Sequence, residues 1–336
     1  MGELAGIYTI RDTLHPYYWD VVYEWEDVLA RTLRIPLIPV GKEYDKIYKP
    51  LTVRKILNRI GFYQRRDRYF FNPSKYYIAF HIGPPGVYSF HSRRNVIPII
   101  IDFWKSENLK RFESIFSLNE CVFITSKEVY NYLVDNKMKI KLGHLALSLP
   151  DKMFAQISNT KREFDLIQIG RQNEKATHYV KLLLSEFPQI NYLYSERIDG
   201  KVQMHSSLNG KLGEFTSRES FLNLLKKTKV SLLSAPGLDD DAERTGGFSP
   251  VTPRFLESAA CGCHLIGIYP ENDDFVYFGI NQICVNVDNY ESFRRVILSC
   301  LRDEKVPDYR EFLQNHLTSK RAIELKEKLS FGYAKR

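Results

Sequence analysis

The chain alternates short apolar runs with segments of helical period over nearly its whole length, and the series restarts once part-way along. Apolar runs at residues 4–10, 35–40, 76–81, 96–103, 121–125 and 140–147 read as strands, with helices expected at 18–33, 52–63, 109–116 and 127–136. This alternation is the signature of a mostly parallel sheet covered by helices. After the polar stretch from Ser158 to Glu163 a second series begins, with strands expected at 165–169, 190–194, 230–234, 264–268 and 282–287 and helices at 179–186, 218–227, 253–260 and 290–301. The expected fold class is therefore α/β, with two Rossmann-like domains facing each other across a cleft. The domains would be residues 1–158 and 159–336, a division that suits a chain longer than one hydrophobic core supports. Residues 309–329 read as one or two amphipathic helices, with the last expected to pack back on the N-terminal domain.

A formal charge of +8 favours anionic partners such as nucleotide phosphates or lipid headgroups. The N-terminal residues have no basic segment followed by a long apolar stretch, so neither a secretory signal nor a spanning helix is expected. The cysteines Cys121, Cys261, Cys263, Cys284 and Cys300 lie mostly in apolar segments, as buried thiols in a reducing cytoplasm would. Cys261-Gly-Cys263 has no second pair with which to build a zinc site, so packing is its expected role and no metal is expected. There is no G-x-x-x-x-G-K-[ST] and no G-x-G-x-x-G after the first strand, which removes most support for an ATPase or an ordinary dehydrogenase.

Between Lys49 and Phe71, the cations Arg54, Lys55, Arg59, Arg65, Arg66 and Arg68 are interleaved with Phe62, Tyr63, Tyr69, Phe70 and Phe71. Cations beside aromatics suit peripheral contact with an anionic bilayer, on the cytoplasmic face of the membrane. A solvated helix face is the simpler alternative, and no nucleic-acid-binding motif is present.

The most informative stretch runs from Val251 to Ile266. Pro253 suits a first helical turn, Gly262 ends the helix, and an apolar run follows. Such a helix start, at Thr252 and Arg254, would aim backbone N–H groups, the positive end of the helix dipole and a forked guanidinium at a diphosphate. Glu257, three residues after Arg254, shares its helix face, and a carboxylate there can accept both hydroxyls of a ribose. A surface Arg–Glu pair on an ordinary helix is the simpler alternative.

Pro253-Arg-Phe-Leu-Glu-Ser-Ala-Ala-Cys-Gly262 resembles the E-A-x-A-C-G helix of group 1 glycosyltransferases of the GT-B fold, and more closely their relatives with an R-x-x-E-x-x-A-C-G pattern. The resemblance implies that Glu257 holds the donor ribose. Eight residues earlier the wider family often carries a second glutamate near the donor sugar, where this chain has Ser249. Residues 164–171, which end in Gly170-Arg171 and are followed by Lys175, resemble the strand and basic loop that open the family's donor domain. There the Arg and Lys neutralise the leaving diphosphate, as fixed cations can without a metal. Arg244 lies in a long loop, expected on the cleft side, whose Asp239 to Asp241 read as solvated acids rather than metal ligands.

In the first half, His15, His81 and Asp102 follow strands and are the candidate bases for an acceptor hydroxyl. The expected activity is transfer of a sugar from a nucleotide-sugar donor to a saccharide or lipid-linked acceptor in surface polysaccharide or glycoconjugate synthesis. No cofactor beyond the donor substrate is expected. Two alternatives stay open: a catalytically inactive sugar-nucleotide or glycan binder, which Ser249 makes credible, and a sugar-nucleotide epimerase of the same architecture.

Overall fold

Residues 3–9 open the structure as β1 (Glu3–Thr9), whose Ile7 is fully buried, and the chain returns through α1 (Asp20–Leu33). Val22, Trp25, Glu26 and Leu29 recur at helical spacing on α1 and form its buried face. The remaining strands of this sheet are β2 (Leu37–Pro39), β3 (Lys75–Ile82), β4 (Val96–Ile101), β5 (Val122–Ile124) and β6 (Leu142–His144). All pair in parallel, in the order β2-β1-β3-β4-β5-β6. The six residues of β4, Val-Ile-Pro-Ile-Ile-Ile, are buried throughout, as a central strand covered on both faces must be. The helices α2 (Leu109–Phe116) and α3 (Lys127–Asp135) start on side-chain caps, Asn108 accepting from Arg111 N and Ser126 from Val129 N.

The computed structural model describes residues 2–12, 17–40, 56, 57, 59, 60, 62, 74–105, 107–154, 161–168, 170, 172–198, 201–214, 217–238 and 242–331. Most of the expected helix at 52–63 lies outside these residues. The chain divides into two compact units, Met1–Leu147 with Thr318–Arg336, and Ser148–Leu317. The division falls ahead of the polar stretch at 158–163.

The second unit contains α4 (Asp151–Phe154), β7 (Phe164–Gln168), α5 (Glu174–Glu186), β8 (Tyr192–Ile198), β9 (Lys201–Ser206), β10 (Gly210–Glu214), α6 (Arg218–Lys226) and β11 (Thr228–Ser234). It continues with α7 (Ala242–Thr245), α8 (Pro253–Ala260), β12 (His264–Ile268), α9 (Asp273–Phe278), β13 (Cys284–Asn286), α10 (Tyr290–Arg302) and α11 (Arg310–Leu313). Its sheet order is β10-β9-β8-β7-β11-β12-β13, parallel except for the antiparallel pairs β8–β9 and β9–β10. A core of Leu166, Val180, Leu183, Val230, Ile266, Phe293 and Ile297 joins the sheet to α5 and α10.

Both units are thus doubly wound, Rossmann-like α/β sheets. In each the crossover direction reverses between two neighbouring parallel strands: β1 and β3 in the first unit, β7 and β11 in the second. Open α/β sheets place ligands outside the carboxyl ends of the strands at that reversal.

The last helix, α12 (Thr318–Phe331), belongs to the first unit and packs along α1. Lys328 Nζ donates to the His144 carbonyl at 2.5 Å and pairs with Glu324, which also meets Arg321 at 3.0 Å. Burial, followed by the charges of Lys328, Lys127 and Arg321, lowers the His144 imidazole to about 4, against a smaller opposing pull from Glu324. A proton is therefore taken up by the unfolded chain near pH 6.5 but by the folded chain only near 4, so stability falls as pH drops through that window. Urea denaturation at pH 5 against pH 7.5 is expected to show a loss of about 2 kcal/mol that His144→Gln removes. Equal pH slopes in the two proteins would contradict it.

Candidate functional site

Three segments converge on the carboxyl edge of the second sheet at its reversal point: the residues after β7, the segment between β11 and α8, and the first turns of α6 and α8. After β7 the backbone turns at Gly170, whose φ of +92° favours glycine, and where an added Cβ would meet open space. Asn173 then caps α5 by accepting from Ala176 N. The helix therefore begins five residues earlier than its apolar period suggested. Lys175, expected in a loop, sits in the first helical turn with its Nζ 5.9 Å from the Tyr179 ring centroid. Arg171 lies outside the described residues.

Pro253 opens α8, and Thr252 occupies the N-cap in an extended conformation without a side-chain capping bond. The eight-residue helix ends at the Cys-Gly-Cys turn because Gly262 adopts a φ of +69°, which lets Cys263 N reach back to Ser258 O at 3.1 Å. Arg162 sits over that end. Its Nη atoms donate to carbonyls of Leu225, Lys226, Thr228, Cys261 and Gly262, placing a cation where α6 and α8 both present unpaired C=O groups. Cys261 and Cys263 are buried thiols directed at backbone carbonyls, and burial raises both pKa values.

At the other end of α8, Glu257 is 1% exposed. One carboxylate oxygen pairs with Arg218 Nη1 at the start of α6, and the other accepts from Arg254 Nη1 at 3.0 Å. Burial pushes the Glu257 pKa up, but Arg218 and Arg254 outweigh it and the net shift is downward, so the group is a carboxylate at neutral pH. The ribose role expected of Glu257 finds no exposed oxygen to serve it. The carboxylate is instead the hinge of an ion triad that fixes two cations.

Of these cations, Arg218 is buried and also reaches Met153 Sδ at 3.5 Å, whereas the Arg254 side chain keeps 31% of its surface. Arg254 stacks its guanidinium 3.8 Å from the centre of the Phe221 ring. Only Nη1 is spent on Glu257, and the Nε–Nη2 edge has no partner among the described residues. A guanidinium locked on one side and open on the other is preorganised for a two-pronged bond to a phosphate.

Ser249 is buried, with its carbonyl held by Asn272 Nδ2 at 2.9 Å, and Arg244 is exposed on α7. Asp239 to Asp241 lie outside the described residues. Gly237, at the start of the same segment, has a φ of +76° and leaves no room for a Cβ against the Phe248 carbonyl and Thr245 Oγ1.

In the first unit, the reversal point lies between the carboxyl ends of β1 and β3. His81, the penultimate residue of β3, hydrogen-bonds through Nδ1 to the Gly83 carbonyl and meets the His91 ring edge-on at 4.4 Å. Burial lowers its pKa against the pull of the Gly83 and Ile82 carbonyls, keeping the ring neutral at pH 7. With Nδ1 donating to a carbonyl, the basic lone pair falls on Nε2, a tautomer assigned from that bond. Asp102 lies beside it: Gly83 N bonds Ile101 O at 2.6 Å, and Asp102 is exposed in a left-handed conformation with φ of 57°. His15 lies outside the described residues. Of the basic segment, the exposed Ile56, Arg59, Ile60 and Phe62 are described.

Glu26 was not anticipated. It is buried beside Arg11, whose Nη2 lies 3.2 Å from Glu26 Oε2 and 2.9 Å from Asp27 Oδ1 at the carboxyl end of β1. Burial, opposed by hydrogen bonds from Thr9 and Arg11, lifts its pKa to about 7. Its place on the apolar stripe of α1 was the available signal.

No protein-family model matches the chain, and no curated protein matches it. Among solved structures, a protein from Listeria monocytogenes described as a UDP-N-acetylglucosamine 2-epimerase is similar over 99% of this chain and 98% of its own, at 9% identity and a TM-score of 0.53. The chain has the two-Rossmann fold of the GT-B class. Sucrose-phosphate synthase from Thermosynechococcus elongatus overlaps 82% of this chain and 72% of its own at 15% identity, with a TM-score of 0.46. The pneumococcal O-GlcNAc transferase GtfA, solved with UDP and GlcNAc, overlaps 80% of this chain at 11% identity and a TM-score of 0.45, and this chain spans 59% of its length. At these identities the likeness is one of fold.

Proposed function

We propose that the chain is a glycosyltransferase that binds a nucleoside-diphosphate sugar at the carboxyl edge of its second sheet. The observation that carries this reading is Arg254: anchored by Glu257, stacked on Phe221 and open along one edge beside an uncapped helix start. Its fork, the first-turn amides of α8, and Lys175 with Gly170 and Arg171 would take the diphosphate and stabilise the charge that builds as it leaves. Thr252 and Arg244 border the same segment and would contact the donor, while the buried Ser249 would shape the segment behind them. Glu257 acts through Arg254 as a positioning residue.

In the first unit, His81 Nε2 would serve as the base that takes the proton of an acceptor hydroxyl. Asp102 would orient that hydroxyl, and His15 stays a candidate by position. No step needs a metal. A saccharide or lipid-linked acceptor, and contact of the segment around Ile56, Arg59, Ile60 and Phe62 with an anionic membrane, belong to the same proposal. Sedimentation with phosphatidylglycerol vesicles reads the membrane part.

Thermal-shift screening with UDP, GDP and other nucleoside diphosphates, followed by nucleotide release from the matching donor sugars, tests the reading. Stabilisation with turnover supports transfer, stabilisation without release indicates a binder, and no stabilisation by any diphosphate removes the proposal. Epimerisation is the second reading, favoured by full-length overlap with the Listeria protein. It is separated by incubating UDP-N-acetylglucosamine alone and looking for its 2-epimer.

A further inference from the structure

The crossover from β3 to β4 carries no α-helix: residues 83–95 are described throughout and contain only the 3-10 turn Phe90–Ser92. A loop in that place makes few backbone bonds of its own, so side chains have to pin it. Asn119, buried ahead of β5, pins the second half, where its amide donates to the carbonyls of His91, Arg93 and Val96 at 3.0, 3.0 and 2.8 Å. The turn thereby holds His91 at a fixed point beside β3.

His91 is buried, and both of its ring nitrogens are engaged. Nε2 lies 3.1 Å from the Phe80 carbonyl and donates to it, because a carbonyl has no proton to give. Nδ1 is then the acceptor, 3.3 Å from the Ser89 hydroxyl. These partners assign His91 as a neutral Nε2–H ring. Burial, followed by the charge of His81, lowers its pKa against the pull of the Phe80 carbonyl, which keeps it neutral at pH 7. Phe80 immediately precedes His81, so His91 grips β3 at the adjoining peptide and sets its ring edge-on to that of His81, with centroids 4.4 Å apart and planes at 85°. Neither nitrogen is left for His81; the contact is ring against ring.

The His81 ring is tied through Nδ1 to the Gly83 carbonyl. Such a tie alone leaves an imidazole able to swing about its Cβ–Cγ bond, and a ring that swings can carry its proton on either nitrogen. We propose that His91 is the positioning residue of His81: its ring, pressed edge-on, blocks that swing and holds the imidazole in the Nδ1–H form that leaves Nε2 free to take a proton. His91 acts through His81 and not on a substrate. The inference rests on the reading of His81 as the base of the first unit. Its test uses no donor, acceptor or turnover, so a failure of the transfer reading shows in the nucleotide screen and a failure of this one shows in the ring itself.

Nitrogen NMR of the histidine rings in the full chain at pH 7.5 tests it, with His81→Gln used only to assign the His81 signals. In the parent, His81 should be an Nδ1–H ring and His91 an Nε2–H ring, opposite tautomers side by side. His91→Gln keeps an amide donor for the Phe80 carbonyl but removes the ring, and should lose the single Nδ1–H signature of His81 to a mixture of both tautomers. His91→Phe keeps a ring but not the donor, and should retain the parent signature of His81 even though it melts lower. A merely structural role predicts the reverse order, with the hydrogen-bonding Gln closer to the parent. The parent spectrum needs no variant and decides the first point whatever the variants' stability. An Nε2–H or protonated His81 in the parent, a parent-like His81 in His91→Gln, or a tautomer mixture in His91→Phe would each overturn the proposal.

Discussion

Glu257→Ala is expected to lower the melting temperature of the second unit by roughly 10 °C, more than any exposed substitution near the site. Removal of the carboxylate breaks the buried Arg218–Glu257 pair from one side, a change that typically costs about 3–5 kcal/mol. In a unit of this size each kcal/mol moves the midpoint by about 2–4 °C. Replacing both partners, as Arg218→Met with Glu257→Leu, should recover much of the loss, because an apolar pair of similar volume carries no uncompensated ion. The coupling between the two sites, read from the double-mutant cycle, separates this account from a simple packing defect. Equal melting curves for parent and Glu257→Ala would mean that the triad does not hold α6 to α8.

Arg254→Ala is expected to weaken nucleoside-diphosphate binding roughly 10- to 100-fold and to lower the melting temperature as well, though less than Glu257→Ala does, because Glu257 keeps Arg218. Charge-assisted bonds to phosphate are worth about 1.5–3 kcal/mol, and each 1.4 kcal/mol is a factor of ten in affinity. The side chain is partly exposed, but its loss leaves one buried Glu257 oxygen without its guanidinium donor, so affinity is compared below the variant's own melting transition. Arg254→Lys keeps the charge but not the fork and should recover only part of the affinity. The free nucleoside, which lacks the diphosphate, should bind parent and variant equally. A variant that binds the diphosphate as well as the parent does would remove Arg254 from the donor site and with it the main support for the proposed function.

Much of the architecture could be read before any coordinates. The central strand β4 is a continuous apolar run, β7, β11 and β12 carry apolar centres at Leu166-Ile167, Leu232-Leu233 and Leu265-Ile266, and their βα punctuation is plain, so two doubly wound sheets followed directly. The edge of the second sheet did not. The strands β9 and β10 are rich in Lys, Gln, Ser, Gly and Glu, and β10 is largely exposed, so burial imposed little apolar pattern on them. What marked them was turn chemistry, Asp199-Gly200 before Lys201 and Asn209-Gly210 at the start of β10, rather than hydrophobicity.

At the site, helix α8 and its glycine stop were legible, but the state of Glu257 was not. Its neighbour Arg254 lies three residues away and was seen; the partner that buries it, Arg218, lies 39 residues earlier and reaches it only through the packing of α6 on α8. Sequence spacing shows which residues share a helix face, and tertiary packing decides whether that face meets water or another helix.

The first unit is also discontinuous in the chain, with α12 joining it only after residues 148–317 have been threaded through the second. During synthesis the ribosome releases every residue of the second unit before the helix that covers α1 emerges. The apolar surface that Ala322 and Leu325 finally bury therefore waits uncovered while the intervening unit forms, and a nascent chain stalled near residue 317 should engage chaperones that the finished one does not.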